Sequence, residues 1–244
     1  MSKTDVAETD IGELDIADES IAERRSGAPG CEMPEGTHPL AKKTVTWIEI
    51  LSLWTGYICA LLVIPVLFSI VYEIGSRGLF TQPTIWAYDV SRGCSGFMFM
   101  AAAAYALWRG VHIRADFLYR NWSRVTQATL DGYLYILLFF PGILFFFWVS
   151  FQFAEKAWVR GELSMDTAWM APVGPVRSAM PIGAALLLLQ GVAELIRCAY
   201  DAKGINRIVF NVFSAFFLIL GIASLLIVIK MIFGLALPYF LGKE

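Results

Sequence analysis

The chain has 244 residues, 57% of which are hydrophobic, and its mean hydropathy is +0.61. An ordinary soluble domain is about 45–50% apolar, so the excess must be buried in something larger than the chain's own core, which excludes a soluble globular protein. The formal net charge is only −2, and we predict no nucleic-acid partner.

The charges are unevenly distributed along the chain. Residues 1–45 hold ten acidic and five basic side chains, whereas the remainder holds eleven acidic and fourteen basic ones. The acidic segment is also rich in Gly, Pro and Glu, and it cannot bury enough apolar surface to offset the entropy lost on ordering. We therefore predict that residues 1–45 form a disordered acidic tail in the cytoplasm.

Five later segments are long and apolar enough to cross a membrane. A spanning helix needs about 20 mostly apolar residues, because a hydrocarbon core of roughly 30 Å is crossed at about 1.5 Å per residue. The predicted spans are 48–71, 86–108, 133–153, 178–196 and 208–229. They predict an all-α integral membrane protein with four to five transmembrane helices. We divide it into a four-helix membrane domain at 46–200 and an additional C-terminal transmembrane helix within 201–244.

The segment between the second and third spans sets the predicted orientation. It carries four arginines in the sixteen residues 109–124, and short loops rich in Lys and Arg stay in the cytoplasm. We therefore expect a cytoplasmic N-terminus, and five spans then put the C-terminus outside. From His112 to Gln127 the helical spacing predicts an interfacial amphipathic helix. A plain basic loop that enforces topology is the alternative.

The loop at 157–176, on the opposite side, is rich in Trp, Pro and Gly. Interfacial tryptophans anchor the ends of spans, and prolines stiffen a loop that keeps one shape. We expect an ordered outer surface here. Ordinary aromatic anchoring of the neighbouring spans is the alternative.

Most charges near the membrane lie at the ends of the predicted spans, because a charge at the centre of a span is costly. The short first loop is flanked by Glu73 and Arg77 before it and by Asp89 and Arg92 after it. We predict that these groups pair across the loop, with independent extension to water as the alternative. Glu194 and Arg197 lie three residues apart and can pair along one helix face.

We predict no catalytic chemistry. The string Gly93-Cys94-Ser95-Gly96 matches the G-x-S-G pattern of intramembrane serine proteases, but such a serine needs a histidine base within hydrogen-bond reach. Both histidines, His38 and His112, lie outside the predicted spans. The four cysteines lie far apart without a C-x-x-C pair, so neither a metal site nor a cofactor is predicted. Close helix packing explains the small residues of the string.

Two short strings flank the second predicted span. WAYDVSR opens it at 86–92, and GVHIRADFL follows it at 110–118, while an arginine, Arg77, ends the first span. In order and spacing these features resemble the small membrane subunit of tripartite ATP-independent periplasmic (TRAP) transporters, over about residues 45–200. That family has a W-x-E-E-x-x-R-like string and a G-x-H-I-R-x-D-like string in these places. Tyr88 and Asp89 stand here at the paired acids, and Ala115 replaces a larger aliphatic residue.

The resemblance implies a bacterial inner-membrane scaffold that binds a large permease subunit. The whole would be a secondary transporter that takes up an organic acid or a similar small solute by symport, with a soluble periplasmic protein delivering the substrate. Sodium is expected on the large subunit and not on this chain. The motif residues would hold the fold and seat the chain on the large subunit or on lipid; they are Arg77, Trp86, Asp89, Arg92, Gly110, His112, Arg114 and Asp116.

The same resemblance makes Trp158, Trp169 and Pro172 candidate contacts for the periplasmic protein. Two hypotheses from other classes stay open. One is a membrane enzyme in which Ser95 meets His112, and the other is a structural or assembly subunit of another inner-membrane complex. A neighbouring gene for a much larger apolar protein of about twelve spans would favour the transporter subunit.

Overall fold

A computed structural model of the chain describes residues 39–109, 123–202 and 205–236. The six α-helices of these ranges are α1 (Pro39–Phe80), α2 (Ala87–Trp108), α3 (Arg124–Leu134), α4 (Phe140–Val159), α5 (Gly174–Asp201) and α6 (Ile205–Met231). A π-helical segment, Tyr135–Phe139, joins α3 to α4 without a break, and a second one, Ile232–Ala236, follows α6. The predicted all-α membrane fold is confirmed.

The predicted end of the acidic tail is wrong. Helix α1 begins at Pro39, so the last residues of the segment 1–45 are helical. The helix of the first span therefore begins earlier than predicted and includes Lys42 and Lys43, since Lys is a good helix former. Residues 1–38 lie outside the described residues.

Four of the five predicted spans are long and apolar enough to cross a membrane, within the ranges that the structure describes. These spans are Ala41–Phe80, Val125–Val159, Gly174–Tyr200 and Asn206–Leu235. The predicted second span corresponds to α2, which has 22 residues and is long enough. Asp89 and Arg92 near its start lower its hydropathy, so α2 is not among the four. Its place in the bundle therefore depends on its neighbours more than on its own apolarity.

The predicted interfacial helix cannot extend to Gln127. Ser123 has an extended backbone, with φ −66° and ψ 149°, and its hydroxyl accepts a hydrogen bond from the Thr126 backbone N–H. This is the geometry of an N-cap, which starts a helix. Residues 124–127 are consequently the first turn of α3, and the rest of the predicted interfacial helix, up to residue 122, lies outside the described residues.

Helix α5 is the centre of the bundle and contacts α1, α2, α3, α4 and α6. In its most apolar stretch 83% of the residues are buried, against 11% in α1. Small side chains make this possible, since Ala185, Ala193 and Ala199 are fully buried and let neighbouring helices approach closely. The other helices are therefore positioned by the surface of α5.

Helix α6 is an integral part of this bundle. At one end Tyr133 donates a hydrogen bond to Asn206 at 3.0 Å, and in the middle the ring of Phe217 stacks on that of Phe140 with centroids 3.8 Å apart. At the other end Met231 packs beside Trp158. Helix α6 thus runs antiparallel to α5 and ends on the same side of the bundle as the 160–173 loop.

Helices α1 and α2 form an antiparallel hairpin. The ring of Tyr105 lies against Gly56, where an added Cβ would be 2.5 Å from a ring carbon. Farther along, the Cys59 thiol donates to the Met98 carbonyl at 3.6 Å. The C-terminal half of α1 is therefore held mainly by α2, whereas its N-terminal half reaches α5.

We predict that Gly183→Ala destabilises the bundle. An added Cβ would lie 2.6 Å from the backbone oxygen of Met100, so α2 and α5 must move apart. Overpacking of this kind costs about 1–3 kcal/mol, which thermal unfolding in detergent will register as a lower Tm. Gly142→Ala is the matched control, because its Cβ would meet nothing within 4 Å. Equal Tm values for the two variants would contradict the prediction.

Candidate functional site

Three charged side chains meet between α1 and α5, inside the bundle. The Arg197 guanidinium is hydrogen-bonded to the Glu49 carboxylate and lies 3.5 Å from a Glu194 carboxylate oxygen. The side chains are 8%, 2% and 3% exposed, respectively. This is a buried ion-pair network in which one guanidinium is shared by two carboxylates of different helices.

Two neutral polar side chains extend the network. Ser52 donates a hydrogen bond to the Gln190 side-chain oxygen at 2.7 Å, and the Gln190 amide donates to Glu194 at 3.4 Å. On α5 the three members lie at spacings of four and three residues, which puts them on one helix face. The network therefore follows the line along which α1 crosses α5.

This ion-pair network, here called the clamp, fixes the position at which α1 crosses α5. An isolated charge in an apolar interior costs several kcal/mol, and pairing repays the cost only when the partners are well placed. Sliding or rotating α1 on α5 would separate Glu49 from Arg197 and leave both buried without that pair. One crossing position of the two helices is therefore strongly favoured over its neighbours.

The predicted Glu194–Arg197 pair is confirmed, but Glu49 is a partner that the sequence analysis missed. A local signal existed, because Gln190 and Glu194 interrupt an otherwise apolar segment. Three polar groups on one buried helix face require a partner from another helix, and Glu49 lies at the buried end of α1.

The 160–173 loop, here called the outer loop, has a defined backbone. Ser164 N–H donates to the Ala171 carbonyl at 2.8 Å, and Val173 N–H donates to the Glu162 carbonyl at 3.0 Å. Gly161 and Met170 have positive φ values of 58° and 49°. These paired backbone groups give the loop one defined shape, which is what the expected ordered surface requires.

Side chains at the beginning of α2 fix the outer loop to the bundle. The Asp89 carboxylate accepts hydrogen bonds from Ser164, at 3.0 Å, and from Thr167. Arg92 forms an ion pair with Asp166. Two of the predicted motif residues, Asp89 and Arg92, therefore hold a loop that is about seventy residues away in sequence.

The predicted pairing across the first loop is wrong. Glu73 pairs with Arg77 of its own helix at 2.5 Å and accepts a hydrogen bond from the Thr84 backbone N–H at 3.0 Å. Asp89 and Arg92 turn toward the outer loop instead. The reason is that the outer loop supplies a partner for each of them. The hydroxyl groups of Ser164 and Thr167 donate to the Asp89 carboxylate, and the Asp166 carboxylate pairs with Arg92.

The predicted partner contacts divide into an internal and an external part. The Trp158 indole is buried, and its N–H donates to the Ser178 hydroxyl at 2.8 Å. Trp169 is 46% exposed, and the neighbouring side chains of Met165 and Met170 are 99% and 59% exposed. Trp158 therefore supports the loop from inside, while Trp169 and the two methionines form its apolar outer surface. Pro172 is half-buried.

The remaining predicted residues are spread over the chain. Arg77 is exposed, and Trp86 precedes α2 with its ring 5.5 Å from that of Tyr72. Gly110, His112, Arg114 and Asp116 lie outside the described residues, so the proposed meeting of Ser95 and His112 does too. Across 39–109, 123–202 and 205–236 there is no group of three metal-ligand side chains.

A family model described as "Tripartite ATP-independent periplasmic transporters, DctQ component" matches residues 66–200. No curated protein and no solved structure matches the chain. The matched segment contains Asp89, Arg92, the outer loop and Arg197, and it ends before α6.

We predict that Arg197→Met destabilises the protein strongly. Removing the guanidinium leaves two buried carboxylates without it, and breaking a buried pair in this way costs about 3–5 kcal/mol. Arg160→Met is the control, since Arg160 is 68% exposed and its nearest carboxylate contact is 3.8 Å, a pair that contributes about 1 kcal/mol or less. Thermal unfolding in detergent measures both. The triple variant Glu49→Gln, Glu194→Gln, Arg197→Met should recover part of the loss, and an Arg197→Met protein as stable as the Arg160 control would contradict the clamp.

Proposed function

We propose that this chain, which belongs to the DctQ component family of tripartite ATP-independent periplasmic (TRAP) transporters and is thus a small subunit of such a transporter, scaffolds the large permease subunit. The family is a transporter component and not an enzyme family. The chain would hold the stationary part of the large subunit in place in the membrane while the substrate-binding part moves against it. Its own residues would bind neither substrate nor ion.

The buried ion-pair network is the observation that carries this proposal. Side chains that line a transport path must exchange partners with the passing solute, and they lie near a water-filled cavity. Arg197, Glu194 and Glu49 instead bond to one another where α1 crosses α5. This is the arrangement of a part that keeps its shape while another part moves.

The proposed partners follow from membership of a tripartite family. A large permease subunit carries the substrate path, and a soluble periplasmic binding protein delivers the substrate, an organic acid or a similar small solute. Uptake is symport driven by an ion gradient, with sodium bound by the large subunit and no cofactor on this chain. Membrane lipids cover the remaining apolar surface.

The proposed location is the bacterial inner membrane with the N-terminus in the cytoplasm. Lys42, Lys43 and Arg109 lie at the end of the bundle where α1 begins and α2 ends, and such basic flanks favour the cytoplasmic side. The outer loop and the end of α6 would then face the periplasm. A binding protein approaching from there would meet the outer loop.

The scaffold proposal is tested by co-expressing the tagged chain with the large permease encoded beside it and purifying it in mild detergent. We expect equimolar recovery of the large subunit, and we expect uptake of the solute into cells to require both subunits. A chain that elutes alone, with uptake unchanged in its absence, would refute the scaffold and favour an assembly factor of another complex.

We predict that Trp169→Ala weakens docking of the periplasmic binding protein. Truncating a large aromatic side chain at the centre of an interface costs about 2 kcal/mol or more. The binding-protein concentration for half-maximal uptake in proteoliposomes should rise roughly thirtyfold or more. Trp148→Ala is the control, because Trp148 is equally a tryptophan, is 62% exposed and lies within α4. Unchanged uptake by the Trp169 variant would remove the outer loop from the docking surface.

A further inference from the structure

The outer loop is a short hairpin. Leu163 and Pro172 form an antiparallel β-bridge at its base, with one backbone hydrogen bond on either side of the bridge. Beyond this base the chain passes through a tip at 165–170 and returns. An isolated two-stranded hairpin is at best marginally stable in water. The tip therefore needs contacts with the rest of the protein to keep one position.

The tip divides its side chains between two sides. Asp166 and Thr167 are bonded to side chains of α2, whereas Met165, Trp169 and Met170 are exposed. The polar side chains of the tip thus attach it to the bundle, and its large apolar side chains are left on the surface.

Trp169 lies within a turn that begins at Thr167. The Met170 backbone N–H donates to the Thr167 carbonyl at 3.3 Å, which closes the turn around Trp169. Met170 has a left-handed backbone, with φ 49°, and a side chain other than glycine is strained there. Such a conformation persists only where the surrounding structure holds it. The position of Trp169 is consequently tied to the position of Thr167.

Asp89 holds Thr167, and it uses its two carboxylate oxygens separately. One oxygen accepts a hydrogen bond at 3.0 Å from the hydroxyl of the buried Ser164, at the base of the hairpin. The other accepts from the Thr167 hydroxyl, where the turn begins. A charged acceptor forms stronger hydrogen bonds than a neutral one. Arg92, three residues later on α2, holds Asp166 between these two points.

We propose that Asp89 and Arg92 are positioning residues for docking of the periplasmic binding protein. They hold the tip of the outer loop so that Trp169 has its docking position before the partner arrives. A surface that is already in its bound conformation loses less conformational entropy on binding. This inference rests on the proposed function, which supplies the partner. It gives two motif residues a role in docking instead of a seat on the large subunit or on lipid.

The first test is Asp89→Leu, a side chain of similar size that accepts no hydrogen bond. The complex with the large subunit is reconstituted in proteoliposomes, and uptake is measured against binding-protein concentration. We expect the half-maximal concentration to rise about tenfold or more, because two charge-assisted hydrogen bonds are lost. The maximal rate should stay unchanged, since the substrate path belongs to the large subunit. An unchanged half-maximal concentration would overturn the proposal.

Asp89→Asn is the conservative variant. Its amide oxygen still accepts a hydrogen bond from one hydroxyl, and its amide N–H can donate to the oxygen of the other. We expect it to restore docking to within about threefold of the wild type. An Asn variant as poor as the Leu variant would show that these two hydrogen bonds do not position the tip.

Glu73→Leu is the matched control for a merely structural effect. The Glu73 carboxylate holds the first loop in a similar way, because it accepts hydrogen bonds from the backbone N–H and the hydroxyl of Thr84. That loop joins α1 to α2 on the same side of the bundle, but it does not contain Trp169. We expect this variant to lower the Tm in detergent without raising the half-maximal concentration. An equal rise in both variants would make Asp89 a structural residue only.

A double-mutant cycle tests whether Asp89 acts through Trp169. If it does, Asp89→Leu has little left to disturb once the indole is removed. The variant that combines Asp89→Leu with Trp169→Ala should then have about the half-maximal concentration of Trp169→Ala alone. Two effects that multiply would show that Asp89 acts independently of Trp169, and they would overturn the proposal.

A charge exchange tests Arg92 separately and does not depend on the folding of any Asp89 variant. Arg92→Asp or Asp166→Arg alone places two like charges side by side. We expect each to raise the half-maximal concentration roughly threefold, as suits a partly exposed ion pair. The double variant restores a pair of reversed polarity and should recover most of the loss. No recovery would overturn the positioning role of Arg92.

The outcomes separate the positioning role from the docking surface. If Trp169→Ala leaves the half-maximal concentration unchanged, the outer loop is not the docking surface, and this inference fails with it. If Trp169→Ala raises that concentration while Asp89→Leu and Arg92→Asp do not, the docking surface stands and only the positioning role is overturned.

Discussion

The contact between Arg197 and Glu49 is the constraint on which the arrangement of the helices depends. It joins the beginning of α1 to the end of α5, and a buried charge pair tolerates little displacement. From this fixed crossing, α1 leaves the surface of α5 and comes to rest on α2. The shape of the hairpin follows from where that divergence begins.

A second set of polar contacts closes the opposite side of the bundle. Asp89 and Arg92 at the beginning of α2 bind the outer loop, and the outer loop connects α4 to α5. Each end of α5 is therefore tied to the α1–α2 hairpin by charged or hydrogen-bonded side chains, while its middle is packed through small residues such as Ala185. A helix fixed at both ends and packed along its length is a rigid support, as a scaffolding role requires.

Hydropathy was sufficient to predict the all-α membrane fold and four of its spans, because burial in a bilayer is a local, additive property of the sequence. The pairing of Glu194 with Arg197 was also predictable, since helical spacing brings them together. Pairs of residues distant in sequence were not predictable, because no spacing within one helix brings Glu49 to Arg197 or Asp166 to Arg92. Asp89 was assigned the wrong partner for the same reason, as the outer loop folds back over the beginning of α2 only in the tertiary structure.

The exposed apolar part of α1 is longer than the hydrocarbon core of a typical membrane is thick. Its exposed apolar side chains extend from Trp47 to Phe80, a distance of about 50 Å at ~1.5 Å per residue. Even at a steep tilt of about 40°, a hydrocarbon core of roughly 30 Å covers only about 39 Å of a helix. The bilayer must thicken locally around α1, or the outer end of α1 must emerge among the headgroups. Because of this hydrophobic mismatch, we expect the tilt of α1 to change with lipid chain length, and with it the distance between the C-terminal half of α1 and α5.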